Sequence, residues 1–457
     1  MDDDVSATDT LARQGDDQDQ MSRRRLAMAW YGTASAFFFV YIGAAMASAY
    51  GSVNAFIGIV LSILAYGAIN MVLSKYALLN RTTVAQFSRT ILGRAGSAIA
   101  MVIFALIAIY YAVFEGSIVV FAFQEAFGGP YWLWALIVVA YSTPLVIGGA
   151  RRFLDKINGI LMPIYFFGLI AAVVWAGAVY GSSDAWATHP APEIAFASGG
   201  PGWLATFAGY MGIWIMMMFT TDFAALGRRK DVRFHQWVTF GPLFYVLAYG
   251  FAAFVGIFLT FTIPGLEVSE TGVAGGIVKL MGVLGLIVII STQTRINTAN
   301  YFLGYSNLQA FGERVLRVRM PTIVWVLLSS AIIYLLMLLP VVQYLLIALA
   351  WQGVLVTAWV AIAVVHIVLG RGRNHEHAQI GDHHYRALNA NGLIAWSVAT
   401  VIGLALLQLG AIDPAFAEAG ATWGPLLTAS SAALIYAVLW RANPRSRTGL
   451  IATISDH

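Results

Sequence analysis

Every Lys and Arg in this chain except Lys279 and Arg295 lies at or beyond those ends of its apolar segments that open toward one common side of a bilayer. Basic residues resist translocation, so loops rich in them stay on the cytoplasmic side. The asymmetry needs many membrane crossings to exist at all. The composition agrees: 60% of the 457 residues are hydrophobic and 11% are charged, with a mean hydropathy of +0.76. A soluble domain carries about 25% charged residues. Backbone groups inside a bilayer must be satisfied internally, and runs this long and apolar do so as helices. The expected class is an all-α polytopic membrane protein. The net charge of +4 is juxtamembrane and suits an anionic inner leaflet rather than nucleic acid. The absence of Cys excludes disulfides, thiolate metal sites and Cys nucleophiles.

Twelve spans are expected, each near or above the roughly 20 residues a bilayer requires. They cover 27–50, 53–78, 98–127, 131–149, 155–180, 203–226, 237–263, 276–311, 320–339, 341–369, 391–411 and 421–441. Basic clusters such as Arg23–Arg25, Arg228–Lys230 and Arg441–Arg447 alternate with loops 181–202, 264–275 and 410–422, which contain no Lys or Arg. Both termini are therefore expected in the cytoplasm, and the chain in the inner (plasma) membrane. Residues 1–24, opening on an acidic polar stretch, read as a disordered cytoplasmic tail. Residues 25–442 form the transmembrane domain, and 443–457 a second cytoplasmic tail. Small residues run through the first span from Gly43 (GAAMASAYG), and Gly209 and Gly212 precede Trp214 in the sixth. Breaks at corresponding places in two five-span halves point to an inverted-repeat arrangement.

Ionisable groups inside a span are costly and usually face an aqueous cavity. Glu115 lies midway along the third span, four residues after Tyr111 and on the same helix face. A stacking ring beside a carboxylate suits a flat heteroaromatic ligand with NH donors. The plainer reading is a packing Tyr with a protonated or paired Glu. The eighth span, IISTQTRINTANYFLGYSN, is too polar to face lipid. Ser291 and Thr292 offer adjacent hydroxyls, suited either to an alkali cation or to bonding their own backbone. Asn297 and Asn300 can each donate and accept. Arg295 has three readings: a partner for Glu115 or Asp222, a tethered cation where others bind sodium, or a side chain snorkelling to the surface. Trp214 is a platform or a packing residue, Asp222 closes a helix end, and His366 is structural.

Three stretches resemble the nucleobase:cation symporter-1 family of cytosine, purine, allantoin and hydantoin permeases. YYAVFEG is similar to that family's WFGxQ pattern, GIWIMMMFTTDFAALGRRKD to its G-x-W…PDFxRF stretch, and STQTRINTAN to its STN…N. Their order and placement on the third, sixth and eighth spans make the likeness specific over about residues 25–440. The resemblance implies a LeuT-type fold: a 5+5 inverted repeat (27–180 and 203–369) plus two C-terminal helices (391–441). It implies that Tyr111 and Trp214 stack on the substrate ring while Glu115 and Asn297 hydrogen-bond it. It also implies that Ser291 and Thr292, with carbonyls near Val40 and Gly43, bind sodium. Four departures stand out. Tyr111 replaces a Trp, and Glu115 replaces a Gln. Trp214 is one residue nearer Asp222 than the pattern has it, which makes Ile213 a rival match. Arg295 has no counterpart, which places sodium coupling in question against a proton cycle through Glu115 or Arg295.

The expectation is thus a secondary transporter, not an enzyme, importing a flat nitrogenous ring compound by sodium- or proton-coupled symport. The alternative is a proton-coupled or uncoupled carrier of a cationic, NH-rich molecule. A channel would need a ring of like charges or carbonyls, and a receptor would need a signalling domain. Expected partners are a small-molecule substrate, sodium or a proton, and the bilayer. A monomer is expected, with no cofactor beyond a bound sodium ion.

Overall fold

The computed structural model describes residues 20–147, 150–181, 183–191, 200–339, 344–370, 384–447 and 449–450. It is nearly all helix. The principal helices are α1 (Arg23–Tyr31), α2 (Phe38–Tyr50), α3 (Ser52–Asn80), α4 (Val84–Phe127), α5 (Tyr131–Val146), α6 (Ala150–Tyr180), α7 (Gly202–Met211) and α8 (Ile215–Ala224). They continue with α9 (Ala252–Thr262), α10 (Glu270–Met281), α11 (Val283–Phe311), α12 (Thr322–Met337), α13 (Leu345–Leu369), α14 (Ala390–Ile412) and α15 (Ala417–Ala442). Seven helices among the described residues are long and apolar enough to cross a membrane. The number is nine if the bent pairs α1/α2 and α7/α8 each count as one span. Two further apolar helices, α5 and α12, are shorter, and α11 is long but polar from Ser291 onward.

Local signals in the sequence set the helix ends. Thr83 and Gln86 form a reciprocal capping box at the start of α4, which satisfies two amides that have no partner inside the helix. Ser269 caps α10 by accepting from the Gly272 amide at 2.9 Å. Gly93 adopts φ +82° and kinks α4, a conformation that L side chains rarely adopt. Large apolar side chains cover the outward faces of the bundle: Ile160 and Phe167 of α6 are 72% and 71% exposed. Val401 of α14 and Leu434 of α15 are similarly bare. Apolar surface on that scale calls for lipid rather than water.

Four expectations are corrected. The run 276–311 is two helices, because Gly282 at φ +58° separates α10 from α11. The run 237–263 is an irregular helix: π-helical turns at His235–Thr239 and Val246–Phe251 flank Gly241 and Pro242. The last residues of the stretch expected as a tail to residue 24 are folded. Met21 is buried and its amide bonds the Leu226 carbonyl at 2.9 Å, while residues 1–19 lie outside the described residues. Finally, the first break is not at Gly43. The chain unwinds between Tyr31 and Phe38, through a short 3-10 turn at Thr33–Ser35. Gly43 sits inside α2, where an added Cβ would lie 2.4 Å from Cβ of Ala253. Its small size serves close packing on α9, not a break. The second break falls where expected, at Gly212–Trp214. Each pair bends by 43°.

Two ion-pair candidates outside the site have plain roles. Lys279, one of the two misplaced basic residues, lies 3.7 Å from Glu125. Its side chain is 70% exposed, so the pair is worth about 0–1 kcal/mol. Lys279→Ala is expected to leave the melting temperature of the purified protein unchanged within that range. Asp222 accepts the Val84 amide at 2.7 Å, placing a carboxylate on the N-terminus of α4, where the helix dipole favours it. His366 is buried against Tyr436, 2.8 Å from its hydroxyl.

Candidate functional site

Both helix breaks keep short-range backbone bonds, such as those from the Ser35 amide to the Gly32 carbonyl and from the Trp214 amide to the Met211 carbonyl, and side chains tie them to neighbouring helices. A break frees carbonyls and amides that the bilayer cannot satisfy. At the first break, Ser35 donates its hydroxyl to the Thr292 carbonyl at 2.9 Å. The Phe37 amide donates to Oε1 of Gln293 at 3.3 Å. Arg295 donates to the Tyr31 carbonyl at 2.8 Å. Three positions along α11 thus bridge the gap in turn.

Gln293 also reaches α4. Its Nε2 donates to the Glu115 carboxylate, and to the Glu115 carbonyl at 3.3 Å. Glu115 is 2% exposed, and a buried carboxylate requires such a donor. Asn297 lies one turn further along α11, facing Gly116. A Cβ at Gly116 would sit 3.5 Å from Asn297 Nδ2. The smallest residue thus follows Glu115, leaving Asn297 room beside the carboxylate. Asn300 donates to Asn297 Oδ1 at 3.5 Å and its own Oδ1 has no partner among the described residues.

At the second break, Gln352 of α13 acts as the bridge. Its Nε2 donates to the Gly212 carbonyl at 2.7 Å and to the Tyr111 hydroxyl at 2.6 Å. Trp214, which opens α8, is 6% exposed, and its indole N–H has no partner among the described residues. A buried indole N–H normally finds one. Its ring meets Tyr66 edge-on, with centroids 6.3 Å apart. Ile213, the rival match, is an apolar residue at 3% exposure.

Tyr111, Glu115, Trp214 and Asn297 therefore gather around two linked points. Gln293 holds Glu115 beside the first break. Gln352 joins Tyr111 to the second at Gly212, two residues before Trp214. The expected sodium ligands do not gather in the same way. Ser291 and Thr292 are buried on α11, but the Thr292 hydroxyl donates to the Ile289 carbonyl at 2.8 Å. Val40 and Gly43 belong to the regular part of α2 and face α9. The Val40 carbonyl lies so close to Gly256 that an added Cβ there would come within 1.8 Å of it. The first-span residues that do meet the 292–293 segment are Ser35 and Phe37. The correction follows from the earlier position of the break. Arg295 pairs with neither carboxylate and does not snorkel, having no exposed surface.

Sequence reading missed Gln293 and Gln352 as bridges, Ser35 as a strut, and Glu270. Gln352 is a lone amide in LLIALAWQGVLV, and that isolation was the available signal. Glu270 opens α10, is 5% exposed, and leaves Oε1 without a partner among the described residues. Burial pushes its carboxyl up from 4.5 to about 8, its own backbone amide opposes this, and the Glu115 charge adds a smaller push upward. Between those pH values the native protein keeps a proton that the unfolded chain has released, so stability falls as pH rises. Glu270→Gln is expected to flatten that decline between pH 4.5 and 8 in melting curves of the purified protein.

No family model matches the sequence, and neither does any curated protein. Solved structures that share this fold include transporters. Mhp1, a nucleobase-cation-symport-1 family transporter, matches in a closed conformation with bromovinylhydantoin bound. That match has 16% identity and a TM-score of 0.69 over 93% of each chain. The inward-facing conformation of Mhp1 matches at 15% identity and TM-score 0.70, over 93% of this chain and 91% of that one. MhsT in complex with L-phenylalanine matches at 14% identity and TM-score 0.57, over 93% and 99%.

Proposed function

We propose that this protein is a secondary transporter that imports a flat nitrogenous ring compound, such as a nucleobase, hydantoin or allantoin-like molecule, by alternating access. The observation that carries the reading is the pair of helix breaks, bent alike. Each is bridged by one glutamine to a residue of the Tyr111–Glu115 face of α4. Broken half-helices at equivalent places in two repeats are the usual construction of a transporter binding site. Mhp1, with a hydantoin bound, shares the fold. In this reading the full architecture is twelve spans: two inverted five-helix repeats and two extra helices, with both ends in the cytoplasm of a plasma membrane.

The ring stacks on Tyr111 and Trp214. Glu115 and Asn297 read its polar edge: a carboxylate accepts from ring N–H groups, and the amide complements either a donor or an acceptor. Trp214 keeps an indole N–H free for a ring carbonyl. Because Gln293 and Gln352 tie the α4 face to the breaks, a ligand that draws on Glu115 or Tyr111 shifts the balance between the two bent helices. A differential affinity of about 1–3 kcal/mol between outward and inward forms suffices for coupling. A carboxylate where an amide is expected also suits a cationic, NH-rich substrate, and that is the second reading.

A thermal-shift screen of purines, pyrimidines, hydantoins, allantoin and cationic amines separates the two. Stabilisation by neutral rings supports the first. Stabilisation by amines alone transfers support to the second, and none from any of these compounds counts against both.

A further inference from the structure

Arg295 remains unassigned. It is fully buried in α11, a position that a cation holds only at considerable cost unless it is compensated. No carboxylate among the described residues compensates it: Glu115 is held by Gln293 and Asp222 by the α4 amide. Two other features do. Its Nη2 donates at 2.8 Å to the carbonyl of Tyr31, the last residue of α1. Its Cζ lies over the Tyr165 ring of α6, 5.6 Å from the centroid. The last carbonyls of α1 have no helical partners because the span breaks there, and they carry the negative end of that half-helix dipole. An aromatic face supplies a further attraction for a desolvated cation. The Tyr31 carbonyl end and the Tyr165 ring thus form a cation seat between α1, α6 and α11, and the cation in it is covalently attached. Nε and Nη1 have no partner among the described residues, so the guanidinium is held mainly by this seat.

We propose that Arg295 is the resident cation of the first-span break. Its tethered charge meets the freed carbonyl end of α1, which would otherwise call for a dissociable cation such as sodium, so folding and ligand binding proceed without sodium. Such a tethered charge cannot be released inside the cell, so any gradient that drives uptake acts elsewhere in the molecule. The inference rests on the broken-helix architecture and not on the substrate class.

The test is the melting temperature of the purified full chain, without added substrate, in sodium chloride against choline chloride at equal ionic strength. Anything that binds only the native state raises that temperature with concentration. The wild type is expected to melt identically in both salts at every concentration. Arg295→Ala is expected to melt lower, and millimolar guanidinium to restore part of the loss in the variant but not to stabilise the wild type. A wild type stabilised by sodium overturns the proposal, as does an Arg295→Ala protein that melts like the wild type. If Arg295→Ala does not fold, the wild-type arm still decides, together with Arg295→Lys. The lysine keeps the charge and is expected to stay sodium-indifferent; sodium stabilisation of that variant also counts against the seat. No ring compound enters the experiment, so its failure and failure of the substrate reading are separate results.

Discussion

Glu115→Ala is expected to weaken binding of the proposed ring substrate by about 1.5–3 kcal/mol, roughly 10- to 150-fold in dissociation constant. The magnitude is that of a hydrogen bond to a charged group in a site closed to water. The side chain also holds Gln293, which in turn holds the Phe37 amide at the first break. Removing the carboxylate therefore leaves a buried amide donor short of a partner. Glu115→Gln separates the two roles. The glutamine oxygen still accepts from Gln293, so the break stays braced and the melting temperature stays close to wild type. A neutral ring then loses only the charge assistance, a smaller loss than in the alanine variant. Isothermal titration of both variants with the best ligand from the screen measures this directly. Unchanged affinity in both would remove Glu115 from the site. Intact binding with uptake lost in Glu115→Gln would assign it a proton-carrying role.

The second large effect is at Tyr111. Tyr111→Ala is expected to reduce affinity by about 1–3 kcal/mol, the size of one aromatic–base stack. Tyr111→Phe keeps the ring and deletes only the hydroxyl that accepts from Gln352. Gln352 retains the Gly212 carbonyl, so the phenylalanine variant is expected to lose only about 0.5–1.5 kcal/mol, the net worth of one hydrogen bond. A phenylalanine variant as impaired as the alanine one would mean that the link to the second break matters and the stack does not.

That the chain is a bundle of apolar helices long enough to cross a membrane was legible because run length is a strong signal that does not depend on tertiary detail. The second break was legible too: Gly209 and Gly212 crowd the turn before Trp214. The first was not. It occurs at GTASAF, which has no proline, while the small-residue run GAAMASAYG lies beyond it in regular helix. Small residues serve close helix packing and helix breaking alike, and only the position of α9 distinguishes the two. Contact with Gly256 and Ala253 gives Val40 and Gly43 the packing role. The misplaced break then carried the expected cation ligands with it. Tyr111, Glu115 and Trp214 could be read because an aromatic or polar group inside an apolar run is conspicuous, whereas Asn297 was singled out through the likeness of its polar stretch to a family pattern. Their braces could not, since Gln293 sat in a run of equally polar neighbours and Glu270 in an acidic loop. Arg295 was conspicuous from the start, but its partner is a main-chain carbonyl, which no side-chain pattern announces.

Counterflow in proteoliposomes tests the central claim most directly. Vesicles preloaded with the unlabelled ring compound should accumulate the labelled one transiently above equilibrium, and Tyr111→Ala should lower that overshoot. Uptake that rises linearly with concentration and is indifferent to preloading would contradict alternating access at this site.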